Sequence, residues 1–429
     1  MKKQFARAML AAALLCGSAT AAMMLPATTA MAEQKVSRKV GEALNAAIKA
    51  AQAKDYATAT QSLQAAEAVS DKTDYDTYKI EQIRGYIAIQ QQDYATATRA
   101  YEAMVISPAF ANEEDKDKKT TLHNAALLSA QAQHWPQVIA DSKQLEALNG
   151  MDDKTYAVLA QAYYFTKDVA NAKQAAQKSV DMAKAAGQQP QQAALEIIMS
   201  AQAKGNDQAS ALKTLETLAV NYGSAKDWGQ LIDHALGTRG IKELDALYLY
   251  RLRFLAGATS SADDYTIAAG IALHNGYPTE AKSILEKGLA SGKISRHGRV
   301  ASQLAQARRD ARADARSLSS IARQAERSKS GEQDVKLAED YWGYGRYADA
   351  EAAARRALQK GRMRDSGEGT FILGIALVAQ NKTAEAQQVL AKVDGSAARA
   401  AAAHLWDLYA QHKAKLTGTS ATSTAPAQN

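Results

Sequence analysis

Between Val36 and Lys413, small and apolar residues recur in blocks at the three-to-four-residue period of amphipathic helices. The breaks between blocks carry turn chemistry: Ser107-Pro108, Asn149-Gly150, Gly187 and the stretch from Asn221 to Ser224. This pattern predicts helical pairs over 36–70, 76–107, 119–149, 153–187 and 191–222. The middle is less regular. Residues 226–257 offer two helices around the Gly237 to Gly240 turn, and a clear pair returns at 262–290. Residues 299–328 read as one long helix or a pair, and 332–394 hold two more repeats. A last helix over 397–413 places Ala401, Leu405, Trp406 and Leu408 to cap the final hydrophobic edge. Thr417 to Asn429 has no charged side chain and little apolar surface, and is expected to be disordered.

The blocks repeat. KDYATATQSL around Tyr56 and QDYATATRAY around Tyr94 share the hexamer DYATAT at a spacing of 38 residues. Ala59 and Ala97 are the small residues of these two units, and equivalent places follow at Val138, Ala172, Ala211, Ala281, Ala350 and Ala386. The intervals are 38, 41, 34, 39, 70, 69 and 36 residues, so two are about double and each is expected to hide a degenerate helical pair. Repetition at this period is the mark of a solenoid, in which each pair buries its apolar stripe only against its neighbours.

Three of these units resemble the tetratricopeptide repeat (TPR) family. The second has Gly85, Tyr94, Ala97 and Tyr101 at the family's small and large places. A later unit has Ala338, Gly345, Tyr347 and Ala350, and the last has Gly374, Ala386 and Leu390. The resemblance implies an all-α fold, an α/α solenoid of helix–turn–helix repeats in a curved superhelix. It also implies a concave groove lined by the first helix of each pair, which holds a peptide or a partner helix. The groove-facing places correspond here to Lys79, Gln82 and Tyr86, then Gln161, Tyr164 and Phe165, then Glu339 and Trp342. Members that grip a peptide's C-terminal carboxylate use a set of Lys and Asn residues. Gln82 and Tyr86 stand at two of those places, which departs from that clamp.

Residues 1–32 change the picture of where the chain works. Lys2, Lys3 and Arg7 precede an alanine-rich apolar stretch that closes with Ala30-Met31-Ala32, the three-part pattern of a signal peptide. Ser18, Thr20 and Pro26 interrupt the run, which argues against a retained membrane anchor. An alternative uses Cys16 as a lipidated N-terminus, although Leu15 stands where a small residue is expected. Cleavage after Ala32 removes the chain's one cysteine and lowers the formal charge from +7 to +4, since the segment carries three cations and no anion. The expected layout is a signal peptide at 1–32, an N-terminal repeat array at 33–223 and a degenerate basic middle at 224–330. C-terminal repeats with a capping helix follow at 331–413, then a tail at 414–429. The expected address is the periplasm, as a monomer with no transmembrane segment in the mature chain.

Candidate chemistry is sparse. The seven histidines form neither an HExxH motif nor a compact group with carboxylates, and no phosphate-gripping glycine motif is present. The chain is therefore expected to be non-enzymatic, with no cofactor, catalytic residue or metal. The basic segment is the exception. Between Lys293 and Lys329 there are ten Lys or Arg and three acidic residues. Arg308, Arg312 and Arg316 fall on one helical face, and Arg309 broadens its edge. The expected function is an envelope interaction scaffold binding a protein or peptide through the concave face. The alternative is a module that binds an anionic glycan or envelope polymer through 293–329. Nucleic acid is not expected, because the stripe lacks interleaved aromatics.

Overall fold

The computed structural model describes residues 35–423, and every regular element among them is helical. The signal-like segment 1–32 with Cys16, and residues 424–429 of the tail, lie outside the described residues. The chain divides into two compact units between Ala211 and Leu212.

Unit 1 is built from antiparallel helix pairs: α1 (Arg38–Gln52) with α2 (Tyr56–Glu67), and α3 (Asp74–Gln90) with α4 (Tyr94–Ile106). Next come α5 (Asp115–Gln131) with α6 (Trp135–Ala147), and α7 (Asp153–Phe165) with α8 (Val169–Ala185). Helix α9 (Gln192–Lys204) follows, and α10 (Gln208–Tyr222) runs across the division. Pairs stack through neighbours: α1 touches α3, α5 touches α7 and α7 touches α9.

The turn inside eight of the pairs has one recurring geometry. A single residue takes a left-handed backbone (φ 59–81°) at Lys54, Gln92, Gln133, Lys167, Asn206, Gly276, Gly345 and Asn381. The next residue's N–H donates back to the carbonyl five positions earlier, at 2.8–3.0 Å in all eight cases. That bond satisfies a carbonyl left open at the end of the first helix. The following helix then starts at once. In DYATAT the aspartate is its cap: Asp55 accepts from Thr58 N and Asp93 from Thr96 N, both at 3.1 Å. The three-residue offset from each helix start explains the run of small residues. Ala59, Ala97, Val138, Ala172, Ala281, Ala350 and Ala386 are fully buried and Ala211 nearly so, each within a second helix where it packs closely. Gly85 shows how tight these contacts are, since a Cβ there would stand 2.8 Å from the Tyr101 ring.

Unit 2 contains the two long intervals, and they differ. The first holds a pair, α11 (Ala225–Leu236) and α12 (Glu243–Leu255), joined by a longer link. Next come α13 (Ala262–His274) and α14 (Pro278–Ala290). The second interval holds no hidden pair but one unbroken 30-residue helix, α15 (Gly298–Arg327). After Gly298 its sequence has neither glycine nor proline, so nothing in it makes a turn. The unit continues with α16 (Glu332–Gly343), α17 (Tyr347–Lys360), α18 (Ser366–Ala379), α19 (Thr383–Leu390) and α20 (Ala397–Ser423). Helix α20 does more than cover the last pair. It packs on α11, α12, α18 and α19, with Trp406 Nε1 donating to the Tyr248 carbonyl at 3.0 Å and His412 Nδ1 bound to the Val220 carbonyl at 2.9 Å. It is buried on several faces (Ala402, Ala403, Leu405, Trp406 and Ala410), so it serves as an internal strut. It also runs past residue 413, where the tail was expected to begin, to Ser423. Among the described residues, no helix is long and apolar enough to cross a membrane.

Candidate functional site

In unit 1, α3 and α7 carry six of the candidate groove residues. Lys79 is half-buried, with its ammonium 3.4 Å from Glu113 Oε2 and about 5 Å above the rings of Tyr75 and Tyr78. Burial pushes the Glu113 carboxyl up from its ordinary range, and Lys79 opposes that shift. Gln82 is half-buried, and Tyr86 packs against the core formed by α1, α2 and α3. On α7, Gln161 is buried at 8% exposure, and the half-buried Phe165 stacks on Trp135 of α6 with centroids 4.6 Å apart. Tyr164 sets its ring edge-on to Phe165, reaches Ser200 on α9 at 3.5 Å and lies under the Lys204 ammonium at 5.4 Å. Both aromatic residues therefore hold successive pairs together and leave only part of each ring to solvent. The structure keeps the α3 and α7 groups as two separate patches on first helices of the same unit.

Glu339 and Trp342 have a different setting. Both lie on α16 in unit 2, where Glu339 is fully buried and Trp342 is 7% exposed. Glu339 accepts from the Tyr248 hydroxyl at 2.5 Å and stands 2.7 Å from Arg251 Nη1. Arg251, itself buried, forks onto Glu280 through Nε at 2.8 Å and Nη2 at 2.6 Å. Its guanidinium lies 5.2 Å from the ring centres of both Tyr248 and Trp342. Burial alone would drive Arg251 towards its neutral form, but Glu280 and Glu339 hold it well above its ordinary range. Burial raises Glu339 against the opposing pull of Arg251. It also pushes Asp340 and Glu368 up to about 7, with help from Asp314 at the first and Glu339 at both. Glu339 is thus a member of a buried charge network, and its carboxylate is not open to a ligand.

Two more buried arginines complete the network's surroundings. Arg253 pairs with Asp233 and lies 3.4 Å from Asp264, and Arg399 bonds Asp245 at 2.8 Å and Asp365 at 2.5 Å. Sequence reasoning passed over Arg251, Arg253, Glu280 and Arg399. A signal existed in LYLYRLRFL, where two arginines interrupt an otherwise apolar run on α12.

The basic stripe lies on α15. Arg308 is half-buried and tied to Glu286, with Nη2 at 2.8 Å and Nε at 3.1 Å. Arg309, Arg312 and Arg316 are exposed and have no carboxylate partner among the described residues. The Arg316 Nε donates to the Arg312 carbonyl at 3.1 Å. Asp314 of the same helix accepts from Tyr344 OH at 2.7 Å. Among the described residues there is no group of three or more His, Cys, Asp or Glu able to hold a metal ion.

The sequence matches no family model and no curated protein. Its backbone is similar to that of several solved helical proteins. One is Naa15/Naa10 bound to HypK-THB (TM-score 0.28, 14% identity, 82% of this chain and 62% of that one). A Rap protein complexed with Competence and Sporulation Factor gives 0.27 and 13%, over 90% of this chain and 99% of that one. The apo quorum sensor NprR from B. thuringiensis gives 0.21 and 12%, over 82% and 74%. Superpositions this loose leave the fold assignment to the helix pairs themselves: the chain is an all-helical, repeat-like stack of helix–turn–helix units.

Proposed function

We propose that this protein is a non-enzymatic interaction scaffold that is exported to the cell envelope and binds a partner protein along the first helices of unit 1. The observation that carries the reading is the two patches of half-buried polar and aromatic side chains on α3 and α7, namely Lys79, Gln82 and Tyr86, and Tyr164 and Phe165. Such positions are already ordered by packing, so a partner meets a surface that loses little further freedom on binding. Export rests on residues 1–32. A photo-crosslinking residue at Gln82 in the full chain should trap one defined envelope protein. Tyr86→Ala combined with Tyr164→Ala should weaken the purified pair by about fivefold or more, as expected for aromatic anchors. Unchanged affinity in that double variant overturns the groove.

A second reading is favoured by the three exposed guanidinium groups of Arg309, Arg312 and Arg316, which have no carboxylate partner among the described residues. It makes α15 a docking surface for an anionic glycan or other envelope polymer. Exposed charge contacts of this kind weaken as the Debye length falls from about 10 Å at 0.1 M salt to about 3 Å at 1 M. Retention on an immobilised anionic polymer should fall with salt and disappear when the three residues are changed to Glu. Retention that ignores both rules this reading out.

A further inference from the structure

Unit 2 contains a cleft of about 190 Å³ where the end of α12, the face of α14 and the α16–α17 turn meet. Its base is the Arg251–Glu280 pair, and its walls are Phe254, Leu255, Ile284, Trp342, Tyr344 and Tyr347. Small-molecule sites usually offer about 300–1,000 Å³, so this cleft has room for one side chain and none for a cofactor. The walls are held from behind. Tyr344 is anchored by Asp314, Trp342 is wedged between Tyr347 (4.9 Å) and Trp406 (6.0 Å), and Gly343 backs directly onto Glu280. A slot with apolar walls, braced at Trp342 and Tyr344, is what an anchor residue of a partner requires.

The charges select the guest. Glu280 is the acidic group at the base, and both of its oxygens are engaged by Arg251. The Trp342 ring, which could otherwise attract a cation, already has the Arg251 guanidinium beside it. Lys287 also lines the cleft, is exposed, and has no ion-pair or hydrogen-bond partner among the described residues. A cationic guest therefore meets an engaged carboxylate and an opposing ammonium, whereas a carboxylate next to an apolar side chain meets a free cation. We propose that this cleft binds an acidic peptide segment of a partner protein by one large apolar side chain, with Lys287 pairing to a flanking carboxylate. This site is distinct from the first-helix surface of unit 1 and stands or falls without it.

The test uses the full chain with 15N-labelled tryptophan, the Trp342 indole being assigned with Trp342→Phe. The probes are three capped tripeptides: Asp-Phe-Asp, Asp-Ala-Asp and Lys-Phe-Lys. Asp-Phe-Asp should shift the Trp342 indole saturably, and Asp-Ala-Asp should bind about tenfold or more weakly, from the loss of a buried ring. Lys287→Glu, a change at an exposed position, should weaken Asp-Phe-Asp by about two- to fivefold and improve Lys-Phe-Lys. Absence of saturation with Asp-Phe-Asp, a preference of the parent protein for Lys-Phe-Lys, or indifference to Lys287→Glu each overturns the proposal.

Discussion

The two units solve the problem of stacking helices in opposite ways. In unit 1 the seams rest mainly on small side chains: Ala59, Ala97, Ala172 and Ala176 are buried where second helices pack, and the buried polar groups are mostly hydroxyls and caps such as Thr98, Thr155 and Ser179, beside the carboxylates of Asp76 and Asp141. Each pair depends on its neighbours and on little else. In unit 2, by contrast, Arg251, Arg253 and Arg399 are almost completely buried, and their carboxylate partners come from residues 11 to 154 positions away. Stability in the first unit is therefore close to a sum of local interfaces. In the second it is shared through a network in which no member can be removed alone.

The largest effect should come from breaking that network. Arg251→Met leaves Glu280 and Glu339 buried without their cation and should cost unit 2 about 3–5 kcal/mol. Hydrogen exchange should then quicken in α12 and α16 and stay unchanged in α3 and α4. Adding Glu280→Gln and Glu339→Gln should recover most of the loss, because the penalty comes from uncompensated charge.

The next prediction concerns pH. Asp340 keeps its proton in the folded unit up to about pH 7, while in the unfolded chain it ionises near its ordinary value of 3.8. Between those values the folded state binds more protons, so unit 2 loses stability as pH rises from about 4 to about 7 and levels off above. Glu368, also pushed up to about 7, contributes in the same direction, so Asp340→Asn should make that slope shallower, with part of it remaining, in urea unfolding curves recorded at pH 5 and pH 7.5. A slope identical to that of the parent contradicts the assignment. The smallest effect should fall in unit 1, where Ala97→Leu overpacks one fully buried contact and should cost about 1–3 kcal/mol. Exchange should quicken in α3 to α6 alone.

The same contrast explains what was readable in the sequence. In unit 1 the signals are local. DYATAT combines a helix cap with a small residue three positions inside the helix, so one hexamer marks both the turn and the buried contact. The eight small positions could be counted along the chain for that reason. At α15 the sequence leaves one long helix and a pair both open, and the doubled interval points to the pair; the absence of a turn former after Gly298 is the local signal that favours the unbroken helix. The network of unit 2 was not readable. Arg251 and Glu339 are 88 positions apart, and although Arg251 interrupts an apolar run, nothing near it in the sequence names its partners; their pairing is set by the packing of α12, α14 and α16. The groove list failed at Glu339 for that reason: a polar residue at a surface place of its own repeat is here covered by another helix.

Helix α20 gives the chain a direction in time. Its contacts join residues 406–412 to residues 220–255, separations of 154 to 192 positions. Long-range closure of this kind slows folding, because the intervening loop must be ordered before the contacts repay it. Synthesis proceeds from the N-terminus, so unit 1 can assemble pair by pair as it emerges, while Trp228 and Tyr248 wait until α20 has been made. Until Trp406 arrives, their apolar surface stays open to chaperones and to other nascent chains. Residues 406–412 thus time the completion of unit 2.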